Sequence, residues 1–89
     1  MVSRKITIIN PSGLHLRPAG NLCKESLKYK SKIKINFGDK SANAKSVLSV
    51  LGVCIKFGDE IEFVCEGTDE EEALEAVCTL ADDGFGENE

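Results

Sequence analysis

Two stretches of this chain alternate strictly between apolar and polar positions. From Lys32 to Phe37, Ile33, Ile35 and Phe37 alternate with Lys32, Lys34 and Asn36. From Glu60 to Glu66, Ile61, Phe63 and Cys65 alternate with Glu60, Glu62, Val64 and Glu66. A period of two sends successive side chains to opposite faces, so each stretch predicts a strand with one buried side and one facing water. Lys5 to Ile9 is a further β-rich segment that ends at the loop Asn10-Pro11-Ser12-Gly13. Gly38-Asp39 turns the chain into a short strand over Ser41–Ala44. Elsewhere the period changes to that of a helix. Ala19, Leu22, Cys23, Ser26 and Leu27 make one stripe of a helix from about Leu16 to Lys28. Ser46 stands as an N-cap before Val47-Leu48-Ser49-Val50-Leu51, and Gly52 as the stop. A last helix begins near Thr68 or Asp69, where Thr68 with Glu71, or Asp69 with Glu72, forms a capping box. Ala73, Leu74, Val77, Leu80 and Ala81 supply its buried stripe. Asp82 and Asp83 oppose the helix dipole at its end, so the tail through Glu89 is predicted to fray.

The order strand, helix, strand, strand, short helix, strand, helix predicts an α+β fold. Its four strands form one layer and its three helices lie on one face, a two-layer open-faced sandwich within a single domain over 1–89. A hydrophobic content of 42% and a charged content of 29% are those of an ordinary globular protein. No apolar run approaches the roughly 20 residues that cross a bilayer, and Met1-Val2-Ser3-Arg4-Lys5 is not a secretory leader. The expectation is a cytoplasmic protein without membrane insertion. Cys23, Cys54, Cys65 and Cys78 are scattered without a C-x-x-C pair, which predicts reduced thiols used as small hydrophobes and no metal site. The net charge of −4 conceals an asymmetry: every Lys and Arg lies at or before Lys56, and all acids but Glu25 and Asp39 lie after it. Arg17, Lys24 and Lys28 recur at helical spacing and would steer an acidic partner. The overall charge and the lack of an aromatic stacking motif argue against nucleic acid.

The candidate chemistry lies in Ser12-Gly13-Leu14-His15-Leu16-Arg17-Pro18-Ala19, which places the only histidine just before an Arg-Pro pair that opens a helix. A helix start offers unpaired N–H groups and partial positive charge to an anion. Pro18 suits a first helical turn, and Gly13 permits a sharp bend. Arg17 adds a planar fork of donors that matches phosphate oxygens. An imidazole of ordinary pKa, about 6.5, is largely neutral near pH 7 and nucleophilic, so it could accept and carry a phosphoryl group. A histidine at a helix start is also a common cap or surface residue. Its basic neighbour, the preceding glycine and the following proline together favour function.

These residues resemble the HPr family, the histidine-containing phosphocarriers of the bacterial phosphoenolpyruvate–sugar phosphotransferase system. The resemblance rests on Gly13-Leu14-His15-Leu16-Arg17-Pro18-Ala19, on Lys45-Ser46 before a short apolar helix, and on the element order. It implies an antiparallel sheet under three helices. It implies that His15 accepts phosphate at Nδ1 from phosphorylated enzyme I and donates it to IIA domains of sugar permeases, with Arg17 stabilising the phosphoryl group. It further implies that Ser46 is a regulatory phosphorylation site served by HPr kinase/phosphorylase. Modified there, such proteins act with catabolite control protein A. The protein would be a carrier rather than an enzyme, and needs no cofactor. The implied partner-binding surface comprises Leu16, Gly20, Lys24, Val47, Leu48 and Leu51. Periodicity alone leaves two rows on the short helix, Val47 with Val50 and Cys54, and Leu48 with Leu51, and does not decide which is core. Leu16, Gly20 and Ser49 depart from the family's common alanine, threonine and glycine at those positions. An alternative reading is a regulatory HPr-like module that works mainly through Ser46 as a corepressor; the presence of His15 argues against it.

Overall fold

The computed structural model describes residues 1–86. Strands β1 (Val2–Thr7), β2 (Lys32–Phe37), β3 (Lys40–Asn43) and β4 (Glu60–Glu66) form one antiparallel sheet in the order β1-β4-β2-β3. Helices α1 (Leu16–Ser26), α2 (Val47–Gly52) and α3 (Glu70–Asp82) cover one face, giving the open-faced α+β sandwich. Each alternating strand buries its predicted side. Ile33, Ile35, Ile61, Phe63 and Cys65 meet Ala19, Leu22, Val50, Ala73, Val77 and Cys78 from the helices, with all of them sealed from solvent. On the opposite face the register sets Lys5 across from Glu62 and Lys32 across from Glu66, pairs of opposite charge that suit a wet sheet surface.

Several boundaries differ from the sequence expectation, each for a tertiary reason. β1 runs Val2–Thr7 rather than Lys5–Ile9, because its partner β4 offers Glu60 to Cys65 opposite it. Arg4 breaks the apolar alternation of this strand yet stays on the helix side, where its guanidinium donates to Glu75 of α3 at 3.2 Å. Ile8 extends the ladder by one rung, donating to the Asp59 carbonyl at 2.8 Å, while Ile9 is exposed. β3 similarly starts one residue early, at Lys40, and ends at Asn43. α1 closes at Ser26, where the amides of Lys28 and Tyr29 bond only three residues back, and Leu27 is exposed rather than on the buried stripe.

Three further corrections concern helix ends. Gly52 is the last residue of α2 but not the left-handed turn; that conformation falls on Cys54, with φ 55°. Cys54 is therefore off the helix and exposed, not part of a core row, in contrast to the buried Cys65 and Cys78. No capping box opens α3. Asp69 is the N-cap residue, but its carboxylate accepts the backbone N–H groups of Lys30 and Ser31, each at 2.9 Å, and the Ser31 hydroxyl. Glu70 fills part of the vacated role by accepting the Gly67 N–H at 3.1 Å. Finally, the chain does not fray after Asp83. Gly84–Gly86 forms a single 3-10 turn that buries Phe85 completely, and the Asn21 amide donates to the Phe85 carbonyl at 2.7 Å. The last part of the predicted frayed tail, 87–89, lies outside the described residues.

Candidate functional site

His15 is held by what lies on either side of it. Gly13 has φ +65°, and a Cβ there would stand 2.6 Å from the Ile55 carbonyl and 2.8 Å from the Lys56 Cα. Only glycine both adopts that backbone angle and allows this approach. The Leu14 N–H donates to the same Ile55 carbonyl at 3.0 Å, and the Gly13 N–H to the Asn10 carbonyl at 3.0 Å. Buried Asn10 returns a bond from its side-chain amide to the Gly13 carbonyl. Leu14 on one side, and Pro18 with Ala19 on the other, sink into the core. Between these anchors His15, Leu16 and Arg17 stand exposed as one ridge.

The backbone of His15 is extended (φ −79°, ψ −171°) and caps α1, its carbonyl accepting the Ala19 N–H at 2.9 Å. Its side chain makes no capping bond. There is a physical reason in the sequence. A capping side chain reaches the second or third amide of the helix, and the third residue here is Pro18, which has no N–H. The first turn therefore leaves two amides, those of Leu16 and Arg17, without an acceptor inside the helix, at its positive end. An exposed imidazole, two backbone N–H groups without a helical acceptor and an exposed arginine all belong to one helix start. Such a group can bind the oxygens of a tetrahedral dianion while a ring nitrogen faces its central atom.

Ser46 caps α2: its hydroxyl accepts the Ser49 N–H at 3.2 Å, and its carbonyl accepts the Val50 N–H at 3.1 Å. Ser49, which departs from the family pattern, has a structural use of its own, accepting the Asn43 N–H at 2.9 Å on its hydroxyl. α2 packs on α1, and the Cys23 thiol donates to the Lys45 carbonyl at 3.2 Å. His15 precedes Cys23 by eight residues, an offset of about 12 Å along the axis of α1. The two sites are on adjacent elements but are not in contact through that route.

The remaining surface candidates divide. Leu16 and Leu48 are free of the core, at 69% and 82% exposure. Val47 and Leu51 are half-buried and pack against the core from its edge, so they belong to both layers. Gly20 is half-buried, with open space where a Cβ would stand. Lys24 is exposed, whereas Lys28 lies past the end of α1 with its charge engaged by Glu25 at 3.0 Å. Residues that sequence reasoning missed are those that set the frame: Asn10, Ile55 and the Asn21–Phe85 tether. Nothing local in the sequence marks them, since each acts on a residue distant in the chain or through burial.

Residues 2–83 match the family described as PTS HPr, the PTS HPr component phosphorylation site. The chain is 39% identical over 80 residues to the phosphocarrier protein HPr of Lysinibacillus sphaericus, covering 90% of this chain and 91% of that one. Its fold superposes on the HPr-C-His crystal structure from Thermoanaerobacter tengcongensis with a TM-score of 0.94 and 35% identity, over the whole of both chains. The catabolite repression protein Crh of Bacillus subtilis is also similar, with a TM-score of 0.76, 29% identity and coverage of 93% and 95%.

Proposed function

This chain belongs to the HPr family, phosphocarriers of the phosphoenolpyruvate–sugar phosphotransferase system, and we propose that His15 is the residue that carries its phosphoryl group. The observation that carries this reading is the exposed imidazole at the start of α1, unspent in capping, beside the two free amides of Leu16 and Arg17. A protein of this family is a carrier: it is phosphorylated and discharged by its partners rather than turning over a substrate itself. The proposed donor is phosphorylated enzyme I and the proposed acceptors are IIA domains. Nδ1 of His15 attacks phosphorus in line with the bond to the donor; that bond breaks, and the donor group departs with its electron pair. The Leu16 and Arg17 amides and the Arg17 fork hold the three peripheral oxygens as charge shifts. Because the ridge is open to water rather than enclosed, the site supports transfer in both directions without trapping the group.

Ser46 is proposed as a second, regulatory phosphorylation site, with HPr kinase/phosphorylase and catabolite control protein A as its partners. Its half-buried hydroxyl already faces the amide end of α2, which supports this reading by tolerating added negative charge. The docking surface is proposed to centre on Leu16 and Leu48, with Gly20, Lys24, Val47 and Leu51 around them. Among the described residues no helix is long and apolar enough to cross a membrane; a cytoplasmic location is part of the proposal. The deciding experiment incubates the protein with phosphoenolpyruvate and enzyme I and reads intact mass. One acid-labile phosphoryl group is expected, and His15→Ala is expected to remove it while leaving the circular dichroism unchanged, since His15 is exposed. Stoichiometric labelling of His15→Ala would overturn the assignment.

A further inference from the structure

We propose that the cleft at the β2–β3 end of the sheet binds the diphosphate group of a small anionic metabolite, at a site separate from His15. The cleft holds about 480 Å³ and is lined by Lys32, Lys34, Ser41, Asn43, Lys45 and Ser49, with the strand backbone at Ile33 and Ala42 as its floor. That volume is within the range of small-molecule sites. Its chemistry follows from register. Lys32 and Lys34 are two apart on β2, so they share a face with Cα atoms about 7 Å apart. Ser41 and Asn43 repeat that spacing on β3, and Asn43 is the pairing partner of Lys34.

The lining contains no Asp or Glu. Elsewhere on this face Lys5 looks across at Glu62, and within the cleft Lys32 looks across at Glu66 of β4. Lys34 instead has Val64 and Asn43 directly across from it, with Glu62 and Glu66 only diagonal to it on β4. Lys45 arrives from the segment leading into α2, half-buried, with one N–H of its ammonium fixed to the Tyr29 carbonyl at 2.6 Å. Its two other donors are available. Asn43 uses its side-chain oxygen to accept the Lys45 N–H at 2.9 Å, so its amide nitrogen is the group left to offer a ligand. The Ser49 hydroxyl oxygen receives the Asn43 N–H and still has a proton to donate.

The cleft thus combines three ammonium groups, of which that of Lys32 also faces Glu66, with hydroxyl and amide donors and no carboxylate in its own lining. A single carboxylate would satisfy one lysine. A diphosphate, with several charges and oxygens spread over the same distance as neighbouring lysines, engages all three. An extended polyanion is disfavoured by the row of Glu60, Glu62 and Glu66 on the adjoining strand, which limits the basic area to one small ligand.

The test is a titration of the full ¹⁵N-labelled chain with sodium pyrophosphate at constant ionic strength, followed by amide shifts. Saturating shifts are expected at Lys32, Lys34, Asn43, Lys45 and Ser49, larger than any at Leu16 and Arg17, with weaker binding of inorganic phosphate. Lys34→Gln and Lys45→Gln are each expected to weaken pyrophosphate binding about tenfold with the remaining spectrum intact, while Lys5→Gln changes nothing. The proposal fails if the shifts rise linearly without saturation, if the largest shifts fall at Leu16 and Arg17, or if both cleft variants bind as the wild type does.

Discussion

A serine or aspartate in the place of His15 would turn its side chain back onto the helix it precedes; the imidazole does not, and Pro18 removes the amide it would have met. The same two residues that make the helix start poorly capped make it available to a phosphate. This much is legible in the sequence, because Gly13, His15, Arg17 and Pro18 act on one another within a few residues. The tightness of the loop is not legible, since it depends on Ile55 and Lys56 pressing against Gly13 and on the burial of Asn10. Gly20 offers a test at this scale. It sits inside α1 with room for a Cβ, so Gly20→Ala is expected to stabilise the fold by about 1 kcal/mol, read as a raised thermal midpoint. If the phosphoryl-transfer rate from enzyme I falls while the midpoint rises, the bare backbone at Gly20 is a partner contact. If neither changes, α1 is not held as an ordinary helix there.

Elements were legible where one side of them is buried, and less so at their ends. β2 and β4 match the bounds of their alternating patterns, with Phe37 only half-buried at the end of β2, because a slip of one position would turn Ile33, Ile35, Ile61 and Phe63 to water. α3 starts from Asp69, its N-cap, where the pattern places it, but without the expected capping box, because Asp69 has a better partner than its own helix. It accepts from the Ser31 hydroxyl and from the Lys30 and Ser31 amides, thirty-eight and thirty-nine residues away, and so ties the α1–β2 connection to the β4–α3 connection. These bonds, with that from the Ser31 hydroxyl largest, hold the Asp69 carboxyl down to about 2. A carboxyl whose folded pKa lies below its unfolded value contributes stability above the unfolded value, near 3.9, and loses it as pH falls through the folded one. Asp69→Ala is therefore expected to be less stable than wild type in urea unfolding at pH 7, with the gap narrowing between about pH 4 and pH 2. A gap that is constant across that window would mean that packing, not the ionised carboxylate, is what Asp69 supplies.

Across the whole molecule, the charge asymmetry visible in the sequence becomes a contrast between helices, while the open sheet face carries both signs. Arg17 and Lys24 stand on α1, while α3 opens with Glu70, Glu71 and Glu72. The sandwich class was legible from element order; the sheet order β1-β4-β2-β3 was not readable from local pattern, since β4 inserts between strands that precede it in sequence. The contact of Cys23 with the Ser46 segment is offset from His15 by about 12 Å along α1, more than the screening length of about 8 Å at physiological salt. A phosphate on Ser46 would therefore act mainly on a partner that spans both sites, rather than on His15 itself. Ser46→Asp is expected to slow phosphorylation of His15 by enzyme I at low ionic strength, with the defect shrinking as salt is added and the thermal midpoint little changed. An undiminished labelling rate for Ser46→Asp at low salt would return Ser46 to the role of helix cap alone.

The packing of Ile55 against Gly13, and of Phe85 beneath Asn21, also sets when the site comes into being as the chain is made. α1 leaves the ribosome early, yet the loop that presents His15 has nothing to lean on until residues 55 and 56 emerge. The far side of the helix is not tethered until Phe85 follows. A nascent chain therefore carries the histidine well before it carries the loop that presents it.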